Sequence, residues 1–277
     1  MNLTLDITEI LDNGYHEIDT IFQSISLYDE IEVENNAQET EVICDKEKLN
    51  NEHNICFNAI SLFLKEANIN DNIKVKINKN IPLAAGMAGG SADAAAVLTA
   101  LDIIYNHPIN KDKLMKVAAK LGADIPFCMV GGTVRAKGIG EKMQEIRNCP
   151  DCDIILIKEG TKPSTAELYR RTDSIKNMVH PNTVGAINAI ENGNLDSLCE
   201  NIGNVFAYAW DDSINNLKKE LILYGAKGSE LSGSGPTIFG IFEKGDGEKV
   251  FEEIKDKYTF TALCHPINYG IEIIETE

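Results

Sequence analysis

The run Pro82-Leu-Ala-Ala-Gly86-Met-Ala-Gly89-Gly90-Ser91-Ala-Asp93 offers the chemistry of anion binding. Gly86, Gly89 and Gly90 let a backbone approach a ligand closely. Ser91, read as the cap of the helix that follows, places N–H groups without intrahelical partners, and the positive end of a helix dipole, where a phosphate could rest. The spacing is not that of the Walker loop, which needs a Lys before its Ser or Thr, and it is out of register with the dinucleotide fingerprint. A tight glycine turn with no ligand is the plainer reading of such a cluster. The strand before it and the capped helix after it favour a phosphate cradle of another kind.

The elements that must position this loop follow from periodicity. Ile73, Val75 and Ile77 alternate with Lys74, Lys76 and Asn78, a half-buried strand expected to end at Pro82. An alanine- and leucine-rich helix is expected from Ser91 to about Tyr105. The chain opens inside a strand with Leu3, Leu5 and Ile7 on one face, and Asp12-Asn13-Gly14 signals a hairpin. Strands are expected through Ile25, Leu27, Ile31 and Val33, and helices from Asn54 to about Ala67 and from Asp112 to Leu121. A composition shift near residues 145–153 precedes a fresh apolar strand at Ile154–Ile157, which divides the chain into domains 1–150 and 151–277. The second half is expected to hold helices at Thr183–Glu191, Leu195–Ala209, Ser213–Tyr224 and Glu248–Tyr258. Strands are expected at Thr237–Phe242 and near Thr261 and Ile271. Strands interleaved with helices on both sides of the boundary predict two α+β domains.

Composition narrows the partners. With 277 residues the chain can bury two ordinary cores. A net charge of −17 argues against nucleic acid and anionic membrane, both of which reward a basic face. A phosphorylated ligand must then be attracted locally, by helix ends, a lysine or two and a divalent cation. Seven scattered cysteines predict free thiols in a reducing, cytoplasmic compartment. Cys149-Pro-Asp-Cys152 lacks the further ligands of a zinc site and reads as two ordinary thiols, so no metal-ligand set is assigned. No apolar run is long enough to span a bilayer, no leader pattern opens the chain, and a monomer or weak homodimer is expected.

Three features stand in order: the loop Gly86 to Ser91, the segment Gly122-Ala-Asp124-Ile-Pro126-Phe127, and the loop Ser232-Gly233-Ser234-Gly235-Pro236. Together they resemble the small-molecule kinases of the galactokinase, homoserine kinase, mevalonate kinase and phosphomevalonate kinase superfamily. Asn2-Leu-Thr-Leu-Asp-Ile, Asp12-Asn-Gly-Tyr15-His16 and Thr165-Ala-Glu-Leu-Tyr169 are similar to the branch that acts on a cytidine diphosphate sugar alcohol. The resemblance implies a ribosomal-protein-S5-like N-terminal domain and a ferredoxin-like C-terminal domain, with the active site in the cleft between them. It implies that ATP phosphorylates a free hydroxyl of a methylerythritol moiety, a step toward isoprenoid precursors outside the mevalonate route.

By the same resemblance Asp124 is the base that accepts the proton of the attacking hydroxyl, although an Asp after a helix end is also a common turn former. Ser91 and the loop glycines wrap the β- and γ-phosphates, with Ser91 orienting Mg2+. Asn54 and Lys79 fall where the family holds the nucleotide. Tyr15 and Tyr169 sandwich the cytosine and His16 reads its edge; core or rim aromatics and a hairpin histidine are the plain alternatives. Asn2, Thr165, Gly233, Ser234 and Gly235 complete the substrate side.

The chain departs from the family at one point. The pattern places a lysine two positions ahead of Asn2, where it pairs with the aspartate, and Met1 stands between that place and Asn2. A start at an internal Met that drops a short leader and a genuine variant of low activity both account for this; the intact remainder favours the first. A lysine codon in frame upstream is expected on that account. The chain as written is expected to turn over about 10²-fold or more slowly, with substrate binding less affected. A superfamily kinase for a smaller alcohol, which has no use for Tyr15, His16 and Tyr169, and an inactive binding protein of the same fold are the alternatives.

Overall fold

The computed structural model describes residues 1–274. Among them run twelve strands and nine α-helices. The first half holds β1 (Asn2–Ile10), β2 (His16–Gln23), β3 (Glu30–Glu34), β4 (Glu41–Cys44), α1 (Ile55–Ala67), β5 (Lys74–Asn78), α2 (Gly89–Ile104), α3 (Lys111–Leu121), α4 (Ile125–Val130), β6 (Thr133–Gly138) and β7 (Lys142–Glu145). There follow β8 (Asp153–Lys158), α5 (Thr165–Asp173), α6 (Thr183–Glu191), α7 (Leu195–Asn201), β9 (Gly203–Asn204), α8 (Asp212–Leu223), β10 (Gly228–Leu231), β11 (Thr237–Phe242), α9 (Gly247–Ile254) and β12 (Phe260–Cys264).

Two compact units form, and they interleave along the chain. One comprises Met1–Leu27, Pro82–Met87 and Gly132–Asn268; the other comprises Tyr28–Ile81, Ala88–Gly131 and the stretch from Tyr269. Residue 150, the expected domain cut, falls inside the first of these units, which gathers stretches from both ends of the sequence. The reason is sheet pairing: β1 pairs in parallel with β9, Thr4 opposite Gly203, which ties the first strand to the second half of the sequence.

The first unit holds a five-stranded sheet in the order β7-β6-β2-β1-β9 and a four-stranded sheet in the order β10-β11-β8-β12. β8 is apolar on both faces because both are covered. Ile154 and Leu156 enter a core with Leu3, Ile21, Ala186, Ile190 and Leu198, whereas Ile155 and Ile157 enter another with Phe206, Ile214, Leu221 and Ile254. The helix expected over Leu195–Ala209 is broken. Gly203 must lie against Pro181, whose Cβ is 2.9 Å from where a Gly203 Cβ would stand, and Asn204 caps a 3-10 turn at Val205–Ala209 by accepting from the Phe206 N–H. The last helix stops at Ile254, short of Tyr258, and Ile271 lies outside any strand.

The second unit packs α1 to α4 with the three-stranded sheet β3-β5-β4. In α1 the residues Cys56, Ala59, Ile60 and Phe63 recur at helical spacing and are buried, and Ala94, Ala95, Val97, Leu98 and Leu101 of α2 meet them. β5 ends at Asn78 because the next residue turns inward. Lys79, read from the resemblance as a nucleotide holder, has a side chain only 1% exposed, with Nζ 2.5 Å from Asp29 Oδ2 and 2.8 Å from Asp93 Oδ2. Asp29 Oδ1 also accepts from the N–H groups of Asn80 and Ile81, at 2.6 and 2.8 Å. One lysine and two carboxylates thus join the exit of β5 to the second turn of α2.

Burial opposes the charge on Lys79, but the carboxylates of Asp93 and Asp29 outweigh it and its pKa is raised. Burial pushes Asp93 up to about 7 against the pull of Lys79, and its Oδ1 is buried without a hydrogen-bond partner. A carboxyl raised on folding holds a proton in the native state that the unfolded chain has released, so stability falls as pH rises from about 4 to about 7. Asp93→Asn is expected to flatten that part of the stability profile, read by urea unfolding at a series of pH values; an unchanged slope would refute the assignment.

Candidate active site

The loop into α2 carries left-handed backbone at alternate residues, with φ of 49° at Ala84, 72° at Gly86 and 53° at Ala88. Left-handed residues are one component of the backbone concavities that bind anions. Two of the three are alanines, for which this conformation costs about 1 kcal/mol or more each. α2 begins at Gly89, with Ala88 in the N-cap position and no side-chain cap. Ser91 is therefore not the cap that the sequence suggested; it is the third residue of the helix and half-exposed. The left-handed Ala88 makes the turn instead, and the first-turn N–H groups are left without the hydroxyl that a capping serine supplies.

The three glycines serve different ends. A Cβ on Gly86 would lie 2.4 Å from the Ser232 carbonyl oxygen and 2.7 Å from the Gly235 nitrogen, so this glycine lets two loops touch backbone to backbone. A Cβ on Gly89 would meet Ile81 at 2.9 Å and Lys79 Nζ at 3.2 Å, so this one lets the Lys79 cluster sit under the helix start. Gly90 is exposed, and a Cβ there would meet only Ile55 at 3.9 Å, an ordinary contact.

Asp124 occupies the N-cap position of α4, which packs on α2 and α3. Its backbone is right-handed helical and its carboxylate makes no cap hydrogen bond, so the helix start is not what engages it. The sequence placed it after a helix end; it also opens the short helix α4, which was not foreseen. Burial pushes the Cys128 thiol of α4 up to about 12, with the charges of Asp124 and Asp93 adding to the shift. The two carboxylates thus act on one thiol within this unit.

In the first unit the structure brings Asn2, Thr165 and the loop 232–236 together. Asn2 is buried in β1, its Nδ2 donating to Thr20 Oγ1 at 2.8 Å, and its Oδ1 is 3.5 Å from where a Gly233 Cβ would stand. Thr165 Oγ1 is 3.4 Å from Ser234 Oγ. Ser232 Oγ donates to the Gly86 carbonyl at 3.1 Å. Gly233 and Gly235 have φ of 54° and 78°, the region glycine tolerates.

The aromatic group is arranged differently from the expected sandwich. His16 stacks on Tyr169, with centroids 4.3 Å apart and planes 23° apart, and Phe206 meets Tyr169 edge-on at 4.8 Å. Tyr15 sits at the hairpin, 60% exposed. Asn54 is the N-cap of α1; its Oδ1 accepts from the Cys56 N–H and its Nδ2 donates to the Leu49 carbonyl. Asn54 and Lys79, read from the sequence as nucleotide holders, thus have their polar atoms engaged by the fold.

Sequence reasoning missed several participants. Asp93 stands two residues beyond Ser91 in the loop already singled out, and a charge inside an alanine-rich run was the available signal. The single tryptophan, Trp210, donates from Nε1 to the Ser234 carbonyl at 3.2 Å. Asn204 Nδ2 donates to the Leu231 and Gly233 carbonyls at 2.8 and 2.7 Å. Asp173 bonds His16. Asp29, Asn204 and Asp173 carried no local signal.

Comparison with known proteins supplies the relatives of this chain. The GHMP kinase N-terminal domain model matches residues 54–132, spanning α1 to α4, and the GHMP kinase C-terminal model matches residues 186–259. A relative from Thermoanaerobacter pseudethanolicus, a 4-diphosphocytidyl-2-C-methyl-D-erythritol kinase, is 39% identical over 99% of this chain and 96% of its own. One of the same name from Clostridium botulinum is 38% identical over 96% of this chain and 97% of its own. Among solved structures, a 4-(cytidine 5'-diphospho)-2C-methyl-D-erythritol kinase superposes with a TM-score of 0.81 at 25% identity, covering 96% of both chains. A homoserine kinase from Cytophaga hutchinsonii shares the fold, with a TM-score of 0.73 at 16% identity over 92% of this chain and 90% of its own. Identity of 38–39% sustained over nearly the whole chain, with both GHMP kinase domain models matched, places this chain in the 4-diphosphocytidyl-2-C-methyl-D-erythritol kinase family of the GHMP kinases.

Proposed function

We propose that this protein transfers the γ-phosphoryl group of ATP to a hydroxyl of the methylerythritol moiety of a cytidine diphosphate sugar alcohol, as the names of its relatives describe. The observation that carries the reading is Gly90. A glycine inside a helix costs about 0.5–1 kcal/mol relative to alanine, and nothing in the fold requires this one. A phosphate lying on the backbone of the first turn does require it, because a methyl group there would stand in its way.

In this reading the N–H groups of Gly89, Gly90 and Ser91 hold the terminal phosphates, stabilised further by the helix dipole. Asp124 accepts the proton of the substrate hydroxyl as its oxygen bonds to the γ-phosphorus and the bond to ADP breaks. Asn2, Thr165 and the loop 232–236 orient the substrate, and His16 and Tyr169 recognise its base, with Tyr15 closing over it from the exposed hairpin. Magnesium would enter with the nucleotide, and the half-exposed Ser91 hydroxyl, a hard oxygen donor, fits as its protein ligand beside the phosphate oxygens. Held there, the ion would supply neutralisation of charge on the transferring group. Lys79 acts by position, since its ammonium is engaged by Asp29 and Asp93.

To the two-domain α+β fold we assign the finer labels of an S5-like N-terminal domain and a ferredoxin-like C-terminal domain. Seven free thiols suit a reducing compartment, and we place the protein in the cytoplasm as a monomer or weak dimer. Among the described residues no helix is long and apolar enough to cross a membrane.

Two measurements test the assignment. ADP release that depends on the cytidine diphosphate substrate is expected from the wild type, and Asp124→Asn is expected to lower kcat by about 10²–10⁴-fold with KM values within a few-fold; a kcat that survives the change would remove Asp124 as base. Gly90→Ala is expected to raise KM for ATP by about 10-fold while leaving stability equal or higher, since alanine is the better helix former. An unaltered KM for ATP would show that no phosphate lies over that residue.

A further inference from the structure

Tyr169 and Asp173 are one helical turn apart on α5 and therefore share a face. His16, the first residue of β2, lies against that face. Its ring stacks on Tyr169 at 4.3 Å while its Nε2 is 2.8 Å from Asp173 Oδ1. The stack fixes the plane of the imidazole and the hydrogen bond fixes its rotation within that plane. Phe206 holds the Tyr169 ring in turn from its edge. The His16 side chain is 11% exposed, whereas that of Asp173, at 30%, lies open to water at the rim.

We propose that Asp173 sets the base specificity of the substrate site by holding His16 in a single tautomer. This rests on the reading of His16 and Tyr169 as the base-recognition pair given above. A carboxylate only accepts hydrogen bonds, so Nε2 must carry the proton that lies between them. A neutral imidazole has one donor nitrogen and one acceptor, which makes Nδ1 the acceptor. An acceptor at that position matches the exocyclic amine of cytosine, a donor, and repels the oxygen that uracil presents in the same place. Asp173 need not touch the substrate; it acts through His16 as a positioning residue.

The test compares kcat/KM for the cytidine diphosphate substrate with that for its uridine diphosphate counterpart, in the wild type and in Asp173→Asn. The wild type is expected to favour cytidine by about 10²-fold or more. An amide at residue 173 can donate to Nε2 and release the ring into its other tautomer, as replacement of a carboxylate beside an imidazole does elsewhere. The ratio is therefore expected to fall to within about 10-fold. A merely structural role for Asp173 would lower both values together and leave the ratio intact, and that result would overturn the proposal. Nitrogen-15 NMR of the wild type supplies a second readout that needs no variant: a neutral ring protonated at Nε2 alone supports the proposal, and a ring carrying a proton on Nδ1, as the other tautomer or as the imidazolium, overturns it. A wild type that turns over neither substrate would bring down the kinase reading and this inference with it, whereas active wild type with an unchanged ratio brings down this inference alone.

Discussion

The ammonium of Lys79, buried between Asp29 and Asp93, is the constraint on which the unit that holds α2 depends. Removing either kind of partner would leave an uncompensated charge in the core, which is why such a cluster holds its geometry tightly even where its net contribution to stability is small. Asp29 also accepts from the two backbone N–H groups after Lys79, so the chain leaving β5 has little freedom. Asp93 anchors α2 one turn above its first residue. The direction in which the amides of Gly89, Gly90 and Ser91 point follows from these few bonds, and Gly89 is glycine because Ile81 and Lys79 occupy the space a side chain would need.

The other unit depends on a different device, backbone packed on backbone. Gly86 meets the carbonyl of Ser232 and the peptide of Gly235 closely enough that no side chain fits. Trp210 and Asn204 then hold the second loop by its carbonyls at Ser234, Leu231 and Gly233. Side-chain hydroxyls of Thr165 and Ser234 are left close to one another beside Asn2. A loop held this way presents polar groups in fixed places at low cost in conformational entropy on binding. The run Pro82–Met87 belongs to this unit and Ala88 begins the other, so the glycine-rich segment is the strand of chain along which the two devices are joined in sequence.

Much of this was legible in the residues. The loop stood out because glycine, serine and a following helix pattern are local properties, and β5 and α1 because their apolar residues recur at periods of two and 3.6. What stayed hidden depends on pairing across long separations. Ser91 looks like a cap in sequence, and only the left-handed torsion of Ala88 shows that the helix starts two residues earlier. Lys79 looks like a solvated lysine until Asp29, 50 residues away, is placed beside it. The pairing of β1 with β9 breaks the expected helix at Gly203 and moves the unit boundaries, and no composition shift reports a parallel pairing of two residues. Tyr15 and Tyr169 were read as a sandwich with His16 at the edge of the base, whereas the structure stacks His16 on Tyr169, and the hydrogen bond to Asp173 that orients the histidine has no sequence signature.

The central claim is that an unadorned helix start, not a basic side chain, receives the phosphates opposite a carboxylate base. It is tested most directly by a crystal structure of the protein with a non-hydrolysable ATP analogue, magnesium and the cytidine diphosphate sugar alcohol. The account predicts γ-phosphate oxygens about 3 Å from the N–H groups of Gly89, Gly90 or Ser91, and the acceptor hydroxyl within about 3.2 Å of an Asp124 carboxylate oxygen. Phosphates bound elsewhere, with those amides facing water and Asp124 out of reach of any hydroxyl, would contradict it.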